Sequence, residues 1–187
     1  MNIFVLSSDP VEAAQMQCDK HVGGKMVVES AQMLSTAHRM LDGKQIETRS
    51  KTGRRGRYYE LSDYREDILY KAVHYNHPCT VWTMKSNNNY TWHWIHFAAL
   101  CDEYQYRYGR VHKTDALLRE QLKELPRNIP VGPKTPQPLA MKANPECMTE
   151  SVVESYRLFY QTKQHRFKMN WSKRPIPEWF NVEENVV

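Results

Sequence analysis

Apolar residues recur with a helical period along most of this 187-residue chain. After the short apolar segment Ile3-Phe4-Val5-Leu6, Asp9 stands as a cap, Pro10 at the first helical position and Glu12 at the capping-box place. Gly23-Gly24 interrupts the pattern that follows, at up to about 1 kcal/mol per glycine. Met26, Ser30, Met33, Ala37 and Leu41 then form one stripe of a long helix with Gly43 as its stop. Ser62 caps a second helix carrying Tyr64, Ile68, Ala72 and Val73, which ends before His77-Pro78 because a residue preceding proline avoids the helical region. Helix resumes over Thr80–Lys85 and strongly from Asn89, where Tyr90, Trp94, Phe97, Cys101, Tyr104 and Tyr108 keep helical spacing up to Gly109. Thr114 opens a helix holding Leu118 and Leu122. Thr149 opens the last, with Val152, Tyr156, Phe159 and Tyr160.

Two stretches break the period. Residues 44–57 hold Lys44, Arg49, Lys51, Arg54, Arg55 and Arg57 with Gly53 and Gly56, and read as a flexible basic loop, an arm for phosphates. Prolines 126, 130, 133, 136, 138 and 145 make 126–145 an extended connection, with too little chain after it for a second core. Strands are nearly absent. The pattern predicts a mainly α fold, a single-domain bundle of about five helices over residues 1–187.

Composition narrows the class. Hydrophobic residues at 41% and charged residues at 25% exclude wholesale disorder. No apolar run nears the roughly 18 residues a membrane span needs, and the start lacks a secretory pattern, so a cytoplasmic protein without membrane contact is expected. A net charge of +5 suits a polyanionic partner, nucleic acid or nucleotide. Cys18, Cys79, Cys101 and Cys147 are widely spaced with no C-x-x-C, so reduced buried thiols are expected.

Familiar catalytic motifs are missing. There is no H-E-x-x-H, no G-x-S-x-G, no P-loop and no G-x-G-x-x-G. His93 and His96 lie three apart but have no third ligand at metal spacing, so neither a metal nor a cofactor is implied. What remains is carboxylate chemistry. Glu29 stands among Met26, Val27, Val28, Ala31 and Met33, four residues after Lys25. Burial raises a carboxyl pKa and a neighbouring cation lowers it. Cleavage of a base–sugar bond builds positive charge on the sugar, which a fixed carboxylate stabilises while it orients a water. An ordinary salt-bridged helix glutamate fits the same residues.

The run Cys18-Asp19-Lys20-His21, Lys25-Met26, Glu29 to Leu34, then Asn76-His77-Pro78, Trp82, Ser86 and Asn89, then Leu100, Glu103-Tyr104 and Arg107-Tyr108-Gly109 resembles a group of tailed-phage proteins. More distantly, it resembles the pyrimidine-dimer DNA glycosylases of the endonuclease V type. In those small, mainly α enzymes an Asp-x-His on the first long helix precedes the catalytic glutamate, here matched by Glu29. A later His-Pro is matched by His77-Pro78. The aromatic ending is similar to Pro177-Glu178-Trp179-Phe180.

The resemblance implies a phage N-glycosidase, metal-independent and at work in the host cytoplasm. Glu29 would be catalytic, His21 and Lys25 would contact phosphate or sugar, and His77 and Asn89 would hold the ligand. Trp82 would stack on a base at about 1–3 kcal/mol, or serve as plain core. Departures shape the chemistry. Asn2 argues against removal of Met1 and no threonine follows, so hydrolysis by water is expected rather than Schiff-base cleavage. The arginines that flank the family's glutamate map onto the uncharged Val28 and Gln32. Fewer phosphate clamps suit a small nucleotide, such as a cyclic signal of antiphage defence, as well as damaged or modified DNA. The alternative is a non-catalytic protein that sequesters a nucleotide or binds DNA.

Overall fold

A computed structural model describes residues 1–183; the last four residues of the expected 1–187 unit lie outside the described residues. Helix dominates, with eight α-helices and one two-stranded sheet among the described residues. The expected mainly α class is therefore observed, with more and shorter helices than the pattern suggested.

The first stretch, Ile3–Leu6, is buried without being helix or strand. Helix α1 (Pro10–Gln15) starts where the cap predicts, the Asp9 carboxylate accepting the Val11 and Glu12 N–H groups at 2.8 and 3.0 Å. The chain then breaks twice, giving α2 (Asp19–Gly24) and α3 (Met26–Asp42). Gly23 is required by close approach, because a Cβ there would meet the Tyr108 hydroxyl at 2.7 Å. Along α3 the stripe Met26, Ser30, Met33 and Ala37 is buried as expected.

Residues 44–57 are not a loop. β1 (Lys44–Arg49) and β2 (Arg55–Glu60) pair antiparallel, with Glu47 opposite Arg57 and Arg49 opposite Arg55. Most of the ribbon is open to water, with only Tyr59 buried near its root, so it carries no alternation of apolar and polar residues to betray it. The hairpin is held at its root by the fully buried Arg39, whose guanidinium donates to the Tyr59 carbonyl at 3.0 Å and to Glu66 at 2.6 Å.

The helix expected from Ser62 to Val73 is a single turn, α4 (Arg65–Ile68). Beyond it, side chains of α3 take over the backbone. Arg39 binds the Leu69 and Tyr70 carbonyls, and the Thr36 hydroxyl accepts the Val73 N–H, so those groups serve no further helical ladder. Helices α5 (Pro78–Lys85), α6 (Asn87–Tyr108) and α7 (Lys113–Lys123) follow, α6 ending at Gly109 with φ +69°. Residues 124–151 hold no α-helix or strand, only turns at 127–128 and 142–143 and a 3-10 turn at Pro145–Cys147. Helix α8 (Val152–Gln161) then runs into a second 3-10 turn, Thr162–His165.

Helix α6 is the centre of the molecule, packing against α1, α2, α3, α5 and α7. A single apolar cluster takes in residues from Ile3 to Phe180, and all four cysteines are free and buried within it. No helix among the described residues is long and apolar enough to cross a membrane.

Candidate active site

The beginning of the chain, α2, the first turn of α3 and the segment around α8 enclose an open cleft of about 360 Å³. Local sequence explains how α2 presents its face. The Asp19 carboxylate accepts from Arg107 at 3.0 Å and from the Ser172 N–H and hydroxyl, which anchors the start of α2 to α6 and to the returning tail. Asp19 is thus an anchor, and His21 two residues on is the side chain delivered to the cleft.

The His21 ring stacks on Phe4, with centroids 4.6 Å apart, and its Nδ1 lies 2.7 Å from the Tyr160 hydroxyl. That hydroxyl accepts the Cys18 N–H at 2.9 Å and lies 3.3 Å from the Cys18 Sγ, which competes with Nδ1 for its proton. Burial, then Lys163, Lys25 and Lys20, push the His21 pKa down to about 3. At neutral pH His21 is a hydrogen-bonding ring and carries no charge.

Glu29 lies one helical turn beyond Lys25, and both line the cleft. The side chain of Glu29 keeps 22 % of its surface exposed, and its Oε2 lies 3.6 Å from the Met1 amino group. The sequence suggested Lys25 as its ion partner, but Lys25 forms no ion pair with it among the described residues.

Sequence reasoning missed the far wall. Phe159, Lys163, Arg166 and Phe167 close the cleft opposite α2, and Lys20 joins Lys25 on the near side. Lys163 has 8 % of its surface exposed, and its ammonium stands 3.6 Å from the centre of the Phe159 ring. Burial, reinforced by Arg166, pushes its pKa down to about 8. The signal available in sequence was the basic run Lys163-Gln164-His165-Arg166-Phe167-Lys168 directly after an amphipathic helix.

The other sequence-predicted residues are placed elsewhere. Trp82 is core, its indole N–H donating to the Thr135 carbonyl at 3.1 Å and its ring meeting Trp92 edge-on. Fully buried Asn89 donates to the Trp82 carbonyl at 2.8 Å and to the Thr135 hydroxyl at 2.9 Å, and accepts the Thr135 N–H at 2.9 Å. With its amide so engaged, Asn89 has no free group to offer a ligand. Half-buried His77 caps α5, its Nδ1 accepting the Cys79 N–H at 3.2 Å. It lies within the electrostatic reach of Glu29 but does not line the cleft.

His93 and His96 face inward on α6. His93 Nδ1 is 2.7 Å from the Thr83 hydroxyl, and His96 Nδ1 is 2.9 Å from the Pro10 carbonyl. No group of three metal-capable side chains occurs among the described residues. At the opposite end of α3, the six cations of the hairpin form no ion pair among the described residues. Compared with known proteins, the chain matches no family model, no curated protein and no solved structure.

Proposed function

We propose that this chain is an N-glycosidase of the tailed-phage type that hydrolyses the base–sugar bond of a nucleotide. One observation carries the reading: among the described residues, Glu29 is the sole carboxylate lining a cleft walled by cations and aromatic rings. Cations draw in a phosphorylated ligand, aromatic faces accept a base, and the carboxylate faces the sugar between them.

In this reaction the C1′–N bond breaks and a C1′–O bond to water forms. Glu29 orients that water, takes its proton and stabilises the cationic sugar. The proton leaves with the departing base. His21, being neutral, supplies a directional hydrogen bond, and Lys25 supplies charge at the cleft mouth.

Incubation with cyclic dinucleotides and with ultraviolet-irradiated DNA, followed by chromatography, tests the proposal. Free base is expected from wild-type protein and not from Glu29→Gln. Intact ligand recovered after denaturing wild-type protein overturns it. That result supports the second reading, a non-catalytic nucleotide or DNA binder, which the unpaired hairpin arginines favour. Binding through that hairpin falls steeply with salt.

A further inference from the structure

Lys163 is a cation of the cleft wall held against an aromatic ring. It is more than nine-tenths buried, yet no carboxylate lies within ion-pair distance of it among the described residues. Its neighbour Arg166 is a second cation that lowers its pKa further, and Lys163, Lys25 and Lys20 all act on the His21 ring between them. The face of Phe159 offers a cation–π contact. Beside Arg166, and with no carboxylate partner among the described residues, the Lys163 ammonium faces the cleft without a counter-charge. The imbalance is removed when an anion shares the cleft.

We propose that Lys163 and Arg166 receive a phosphate of the ligand inside the cleft, and that the ligand is a small phosphorylated nucleotide entering whole rather than duplex DNA. This rests on the reading of the cleft as the nucleotide site and adds the substrate class. Depth decides between the two ligands. When a base is flipped from a duplex, the flanking phosphates stay on the outer surface and are met by exposed cations at the rim. A lysine sunk against Phe159 is reached only by a phosphate that enters with its sugar and base. Phe159 and Phe167 frame that end of the cleft, and Glu29 lies on the wall opposite. Phosphate therefore anchors one end of the ligand while the scissile bond meets the carboxylate at the other.

Binding by calorimetry on Glu29→Gln protein tests this without relying on catalysis. The probes are cyclic dinucleotides, 5′-mononucleotides, their parent nucleosides and a short DNA duplex. A phosphorylated small nucleotide is expected to bind more tightly than its nucleoside. Lys163→Met keeps an unbranched apolar stem against Phe159 and is expected to weaken that binding about tenfold, with nucleoside binding unchanged and charge restored by Lys163→Arg. Exposed Arg166 gives a second variant, Arg166→Met, expected to weaken the same probe without touching the fold. The proposal is overturned if no phosphorylated small nucleotide outbinds its nucleoside. Equal affinity of both charge-removing variants and the parent, or tightest binding to the duplex, overturns it as well. Tight, Lys163-dependent binding without base release by wild type leaves this inference standing and removes the glycosidase reading. Base release with unchanged binding in both variants does the reverse.

Discussion

The cleft and the interior between α5 and α6 are built from the same kinds of side chain and treat their polar atoms in opposite ways. Between the helices, Asn89, Trp82, Thr83, His93 and His96 bond one another or nearby backbone, and His93 Nε2 and Gln17 Oε1 are the exceptions, enclosed without partners among the described residues. In the cleft, Lys20, Lys25, Lys163 and Arg166 have no carboxylate partner among the described residues, and Glu29 meets only the Met1 amino group. Buried polar groups that are mostly hydrogen-bonded add to stability, whereas unpaired charges around an opening are an invitation to a ligand. Residue type does not separate these cases. Accounting for each polar atom does.

The sharpest way to break the contrast is to exchange one residue in each region. Glu29→Gln is expected to lower base release by about 10²–10⁴-fold while the melting temperature holds, since the exchange is isosteric and Glu29 is partly exposed. A large loss of stability with activity intact would make Glu29 a structural residue. Asn89→Ala is expected to do the opposite. It strands the Trp82 carbonyl and the Thr135 N–H, at about 1–3 kcal/mol each, and leaves base release per folded molecule unchanged. Denaturant titration beside a chromatographic assay reads both variants.

Acid acts on both regions through one residue type. Burial holds His21 at about 3, and His38 and His96 at about 4, against roughly 6.5 for an unfolded chain. These groups are depressed, so the unfolded state takes up protons first as pH falls. Their contribution is complete above pH ~6.5 and is lost on the way down to ~3–4. By pH 5 each histidine removes roughly 2 kcal/mol. Unfolding free energy measured from pH 7 to pH 4 should fall steeply. A flat profile would mean that the rings are not buried neutral, and with it the role given to His21 would go.

Much of this was legible in sequence where the cause is local. Asp9 and Pro10 announced α1, the period from Met26 to Ala37 announced the buried face of α3, and Gly109 announced the end of α6. Lys25 and Glu29 share one helical turn and His21 lies on the short helix before the break, so local chain brings all three to the cleft. The hairpin escaped because its mostly exposed residues leave no periodicity. Lys163 and Arg166 escaped because only the tertiary fold brings the end of α8 against α2. Trp82 and Asn89 were misread for the same reason, since their partner Thr135 belongs to the proline-rich segment across the fold. Hydrogen bonds between distant segments have no pattern in the chain.

His77 tests the boundary between the two regions with the smallest effect. Burial first, then the Met1 amino group and His74, lower its pKa, while Glu29 opposes them, so the ring feels the cleft's charges. Its Nδ1 is nonetheless spent on the Cys79 N–H at the start of α5. A capping role predicts that His77→Ala lowers stability by about 1 kcal/mol. His77→Asn, which keeps an acceptor suited to the cap, should recover most of that loss, and both variants should release base at the wild-type rate. Thermal melts and initial rates measured on the same preparations distinguish the outcomes. If His77→Asn melts like wild type but loses base release, the ring acts on the ligand and the cleft extends to the start of α5.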